Sequence, residues 1–101
     1  MSEMIRFEKK GDLCDIFVAG EVDLSNSAEL RKTILGALKG ASTVVVNLSD
    51  VSYIDSSGIA ALVEGLQQAN SQNKAFSLTQ PSDQVRSILE LARLDQVFTI
   101  Q

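Results

Sequence analysis

Val51-Ser52-Tyr53-Ile54-Asp55-Ser56-Ser57-Gly58-Ile59 is the stretch on which the reading of this chain turns. Upstream of it, Thr43 to Leu48 is a Val-rich run that reads as an interior strand buried on both faces. Downstream, Ile59, Leu62, Val63 and Leu66 recur at i, i+3, i+4 and i+7, one stripe of a helix from about Ser57 to Ala69. A strand therefore runs out, an acid and two serines follow, and a glycine opens an apolar helix. The two hydroxyls stand at the helix N-terminus, where one of them can be offered to a partner. Asp and Ser are also ordinary cap residues, and Gly58 permits close approach, so local composition alone favours a plain helix cap.

Outward from this junction the periodicity changes several times. Ile5 and Phe7 alternate with Arg6 and Glu8, Gly11-Asp12 offers a turn, and Leu13 to Ala19 continues extended, which predicts an antiparallel hairpin. After Gly20-Glu21-Val22-Asp23 come Ser25-Asn26-Ser27, rich in cap residues, and then Leu30, Ile34, Ala37 and Leu38 at helical spacing. Glu29 lies three residues beyond Asn26, as a capping box requires, and Gly40 closes this helix. The polar segment Asn70-Ser71-Gln72-Asn73 ends the second helix, and Ala75 to Thr79 is a short strand. Pro81 suits the first turn of a third helix with the stripe Val85, Ile88, Leu89 and Ala92. Leu94, Val97, Phe98 and Ile100 close the chain as a short strand or a packed tail. The order β-β-α-β-α-β-α-β predicts an α/β sandwich with a mixed sheet. Right-handed crossovers place the helices mainly on one face and gather the strand-to-helix loops at one end. No repeat or linker interrupts residues 1–101, so one domain is expected.

Composition removes several kinds of function. Nine basic against thirteen acidic residues give a net charge of −4, which opposes binding to nucleic acid or to anionic membrane surfaces. There is no histidine, so a Ser-His-Asp triad is excluded, and the lone Cys14 rules out the common zinc sets and the papain-like pair. Cys14 lies among apolar neighbours and is expected to pack as a small hydrophobe. Gly58 and Gly65 fit neither a Walker loop nor a dinucleotide fingerprint. Lysines that could serve as a base for a serine lie in polar, solvated stretches. Glu21, Asp23 and Asp55 fall where this topology gathers loops, yet acids ahead of helices are expected as caps, so no metal and no cofactor is assigned. Met1 to Arg6 shows no basic segment followed by an apolar run, and no stretch reaches transmembrane length. A cytoplasmic, non-enzymatic protein is the expectation.

Two motifs together carry a family resemblance. Gly20-Glu21-Val22-Asp23, then a helix and a Val-rich strand, then Leu48 to Ile59 with Asp55-Ser56-Ser57-Gly58, resemble the STAS-domain anti-sigma factor antagonists (anti-anti-sigma factors) of bacteria, over nearly the whole chain. In that family a Gly-Glu-Leu-Asp motif ends the second strand, and an Asp-Ser-Ser/Thr-Gly-Leu/Ile motif begins the second helix. Here Val22 replaces Leu, and Ile59-Ala60 replaces the commoner Leu-Gly. The resemblance implies the STAS fold and makes Ser56, the first serine after the aspartate, the phosphoacceptor; residue types alone leave Ser57 open as the second choice. It also implies partner switching in transcription regulation. The unmodified protein binds an anti-sigma factor that is a serine kinase of the histidine-kinase-like ATPase fold, which frees a sigma factor. Phosphorylation then releases it, and a PP2C-type serine phosphatase resets it. Glu21, Asp23, Asp55, Ser56, Ser57 and Gly58 make up the expected partner-binding set. Free N–H groups at the helix start are expected to tolerate the phosphate. The alternative within the same fold is a STAS subunit of a phospholipid-transport ABC complex; those relatives tend to lack the two full motifs together.

Overall fold

Alternation in the first two strands produces the predicted hairpin. In the computed structural model, which describes residues 4–101, Ile5–Lys10 (β1) pairs antiparallel with Leu13–Val22 (β2) across the Gly11-Asp12 turn. Met1, Ser2 and Glu3, the start of the stretch inspected above for a leader, lie outside the described residues. The chain continues through Ser27–Gly40 (α1), Thr43–Ile54 (β3), Ser56–Ser71 (α2), Ala75–Thr79 (β4), Asp83–Leu91 (α3) and Thr99–Ile100 (β5). The sheet order is β1-β2-β3-β4-β5, with β2 to β5 all parallel. Each crossover steps to the next strand in the same direction, so right-handed connections bring the helices to one side.

That one-sidedness corrects the reading of β3. Val44, Val46 and Leu48 are fully buried, whereas Thr43, Val45 and Asn47 on the other face are only partly covered. The run looks continuous because Val45 adds an apolar residue to a face that is only half wetted and otherwise carries Thr43 and Asn47, not because helices lie on both sides. The strand is also longer than Thr43 to Leu48. Beyond Leu48 it goes on pairing with β2, through Ala19–Asp50, Gly20–Val51, Glu21–Tyr53 and Val22–Ile54, with two register shifts. Gly20 sits at one of them with φ of +85°, a left-handed conformation that a side chain would resist.

Small residues govern how the helices dock. The buried face of α2 is Gly58, Ala61, Leu62, Gly65 and Ala69, while Ile59, Val63 and Leu66 of the predicted stripe are only partly buried. A Cβ on Gly65 would lie 2.6 Å from Ile34 Cγ2 and 3.1 Å from the Phe76 ring, so glycine allows α1 and α2 to close over the sheet.

Three further details differ from expectation. Pro81 precedes the N-cap Ser82 instead of lying in the first turn of α3. The Ser82 hydroxyl accepts from Val85 N and donates to the Val51 carbonyl, which anchors α3 on the overrun of β3. Ala92 is an exposed C-cap and not part of the α3 stripe, since the helix ends at Leu91. Asn26 is the N-cap of α1 but makes no side-chain cap, so the box with Glu29 does not form. Its amide is spent instead on Asp23 N and the Glu21 carbonyl. The chain ends as both options foresaw: Phe98 packs on Phe76, with ring centroids 6.4 Å apart, and β5 adds two residues to the sheet. Among the described residues no helix is long and apolar enough to cross a membrane.

Candidate functional site

The overrun of β3 brings the two sequence motifs to one end of the sheet. Asp55 N donates to the Val22 carbonyl at 3.0 Å, so the last residue of β2 is bonded to the residue that begins α2. Asp55 is the N-cap, with extended backbone, and its Oδ1 accepts from Ser57 N at 2.9 Å, Gly58 N at 3.1 Å and Ser57 Oγ at 2.6 Å. A side-chain oxygen that takes up orphan N–H groups of a first turn is the ordinary capping solution. Gly58 is required beneath it, because a Cβ there would stand 2.6 Å from both Val22 Cγ1 and Ile54 Cγ1.

This cap distinguishes the two serines. Ser57 is half-buried, and its hydroxyl is committed to Asp55. Ser56, the first helical residue, is exposed, and its side chain makes no hydrogen bond among the described residues. The chain thus holds one alcohol as part of the helix cap and leaves its neighbour open to solvent. The cap also alters the expected welcome for a phosphate: the N–H groups of Ser57 and Gly58 are already taken by a carboxylate, so an added anion would meet Asp55 and not two free donors.

The Ser57 hydroxyl, aided by the Gly58 and Ser57 N–H groups, holds the Asp55 carboxyl below its usual range, against an opposing push from partial desolvation. Because the folded value is lowered, this contribution to stability is complete above the ordinary Asp pKa of about 3.9 and is lost as pH falls through the folded value. Asp55→Asn should therefore melt below the wild type at pH 7, with the gap closing on acidification below about pH 4. Thermal melts from pH 7 to pH 3 check this; a gap that does not change with pH would rule out the ionised cap.

Of the other expected site residues, Glu21 is exposed at the end of β2, opposite Tyr53. The Asp23 carboxylate is turned into its own loop, where it accepts from Ser25 N and Ser25 Oγ. Among the described residues no three acidic, histidine or cysteine side chains come together as a group that could hold a metal ion.

Two apolar residues at this end were not foreseen. Leu24, in the loop after β2, is 82% exposed, and Tyr53, at the end of β3, is 49% exposed. Signals for both exist in the sequence. Leu24 sits alone in the polar run Asp23-Leu24-Ser25-Asn26. Past Leu48, Val51 and Ile54 are buried while Ser52 and Tyr53 both turn outward, so strict alternation is lost.

Comparison with known proteins covers nearly the whole chain. The family model described as "Mlab, STAS domain" matches residues 5–100. The chain belongs to the STAS-domain family. Among its relatives, the anti-sigma-B factor antagonist of Listeria monocytogenes is 30% identical over 98 residues, covering 93% of this STAS domain and 83% of that protein. The intermembrane phospholipid transport system binding protein MlaB of Haemophilus influenzae is 33% identical over 88 residues, covering 83% and 84%. The unphosphorylated anti-sigma factor antagonist SpoIIAA of Bacillus shares the fold with a TM-score of 0.82 at 21% identity, over 96% of this STAS domain and 87% of that chain; its phosphorylated form gives 0.76.

Proposed function

We propose that this STAS domain is an anti-sigma factor antagonist whose binding is switched by phosphorylation of Ser56. The observation that carries the proposal is the contrast between the exposed, unbonded Ser56 hydroxyl and the Ser57 hydroxyl held by Asp55. An anti-sigma factor that is also a serine kinase of the histidine-kinase-like ATPase fold receives the unmodified surface, and a sigma factor is freed. The kinase then moves the γ-phosphoryl of ATP to Ser56 Oγ, the hydroxyl proton is lost, ADP leaves and the antagonist is released. A PP2C-type phosphatase hydrolyses the ester. Incubation with such a kinase and ATP, followed by site-resolved mass spectrometry, should place the phosphate on Ser56; phosphate on Ser57, or on neither residue, overturns the assignment.

Leu24 and Tyr53 supply the apolar anchors of this surface, with Glu21 as the acid left free at its rim. Buried aromatic and aliphatic anchors carry most of the energy of an interface, while rim charges mainly set association rate and specificity. Leu24→Ser and Tyr53→Ala should each weaken partner affinity by about tenfold or more while leaving the melting midpoint near wild type, because neither side chain is in the core. Titration calorimetry and melting curves read the two effects separately. Unchanged affinity in both variants removes them from the interface.

The likeness to MlaB supports a second reading, a subunit of a phospholipid-transport complex. There the same end of the sheet docks on a transporter component and Ser56 is not modified. Absence of phosphate under the kinase assay, with retained binding to such a component, would favour it.

A further inference from the structure

Between the outer strand β1 and α1 runs a groove of about 420 Å³, built from none of the residues discussed above as the switch site. It lies near the start of β2, the opposite end of that strand from Val22. Cys14 forms its floor, and Phe7, Gly36 and Ala37 form much of its walls, with Lys9 and Lys32 among its polar groups. Its origin is simple. Phe7 and Lys9 stand opposite Ile16 and Cys14 in the hairpin register, and those partners are buried under the helices, so period-2 geometry sends Phe7 and Lys9 to the helix side. There α1 offers small residues, and nothing lies within 4 Å of the position a Gly36 Cβ would occupy. The Phe7 ring is left 65% exposed beside an open trough.

The charges beside this trough are uncompensated. Among the described residues the ion pairs are Lys10 with Glu8 and Arg31 with Glu64, so neither Lys9 nor Lys32 has a carboxylate partner. Lys9 Nζ reaches the end of α1, where it would lie 3.2 Å from a Cβ on Gly40. Two unpaired ammonium groups flanking an apolar cleft stand out in a chain of net charge −4. Small-molecule sites are typically apolar clefts of roughly 300–1,000 Å³ with a few polar groups that fix orientation. The two lysines attract an anion, and the apolar walls select a hydrocarbon body.

We propose that this groove binds a single-chain anionic amphiphile of the medium-chain fatty carboxylate class. The acyl chain lies along Phe7, Ala37 and Cys14, and the carboxylate pairs with Lys9 beside the end of α1, with Lys32 adding its charge from farther along the helix. Equilibrium dialysis of the full chain with radiolabelled decanoate, below its micelle concentration, tests this. The expected result is saturable binding of one decanoate per chain, with decanol bound about tenfold more weakly or worse. Gly36→Leu fills the trough and should cut decanoate affinity by about tenfold or more, while its melting midpoint stays at or above wild type, because a helix interior gains from losing glycine. Lys9→Gln combined with Lys32→Gln should lower affinity for decanoate and not for decanol. Absence of saturable binding, or equal decanoate affinity in wild type and Gly36→Leu, overturns the proposal. So does sedimentation showing a wild-type dimer that Gly36→Leu makes monomeric, since the occupant would then be a second copy of the chain.

Discussion

A Ser56→Asp variant is expected to bind an anti-sigma partner at least about tenfold more weakly than wild type, and Ser56→Ala to bind it as tightly as wild type and without release by kinase and ATP. Phosphorylation adds roughly −1.5 to −2 charge at neutral pH. Pressed into an interface shaped around a neutral hydroxyl, that charge must leave water, at an effective penalty of several kcal/mol for an ion without a matched partner. Tenfold in affinity needs only about 1.4 kcal/mol, so even a partly hydrated phosphate suffices to switch binding. The surroundings offer it little compensation: Asp55 already holds the N–H groups of Ser57 and Gly58, and Glu21 stands exposed at the same end of the sheet. Because Ser56 points to solvent, the same charge should leave the fold intact, and the melting midpoints of modified and unmodified protein should lie close together. Titration calorimetry of both variants against the anti-sigma factor decides the matter, and equal affinities for Ser56→Asp and Ser56→Ala would exclude a charge-driven switch at this residue.

Gly58→Ala should be among the most damaging single-methyl changes in the chain. The added Cβ meets Ile54 Cγ1 and Val22 Cγ1 at 2.6 Å, and both residues are only 1% exposed, so neither can swing away. Overpacking of this kind costs about 1–3 kcal/mol. Replacing a helical glycine returns about 0.5–1 kcal/mol. With neither neighbour able to give way the clash wins, leaving a net loss of up to about 2.5 kcal/mol, or as much as roughly 10–20 °C in the melting midpoint of a domain this size. Gly36→Ala is the control. It has open space around it, so only the propensity gain remains and the midpoint should rise. The same substitution on two helices thus has opposite signs, and a Gly58→Ala protein that melts at or above wild type would mean that α2 does not sit where the packing places it.

Much of this architecture can be read from residue order. The hairpin, the alternation of helix and strand, the shared direction of the crossovers and the convergence of Gly20–Asp23 with Asp55–Gly58 all follow from periodicity and handedness. What stayed hidden depends on side-chain orientation and on pairing between distant segments. Ser56 and Ser57 are the same residue type at adjacent positions, and only the Asp55 carboxylate reaching forward two residues tells them apart. Ser49, Asp50 and Ser52 look like a loop in sequence, yet β3 runs on through them, with Asp50 paired to Ala19 and with β3 gaining a residue on β2 at each of the two register shifts, and no local pattern announces that. Asn26 has the composition of a cap but answers to Glu21 and Asp23 instead. Gly65 reads as an unremarkable helix glycine until Ile34 and Phe76 are seen closing on it.

The bond from Asp55 N to the Val22 carbonyl, with Gly58 seated on the Val22 side chain, has a consequence for how this surface can change over descent. The two signatures, far apart along the polypeptide, share one backbone link and one steric allowance, so a change in one is felt by the other. A lineage that enlarges position 58 must shrink position 22 or 54 to keep the fit, and one that abandons the acid at 55 loosens the grip that orients its neighbours. Drift at either motif alone is penalised through the other.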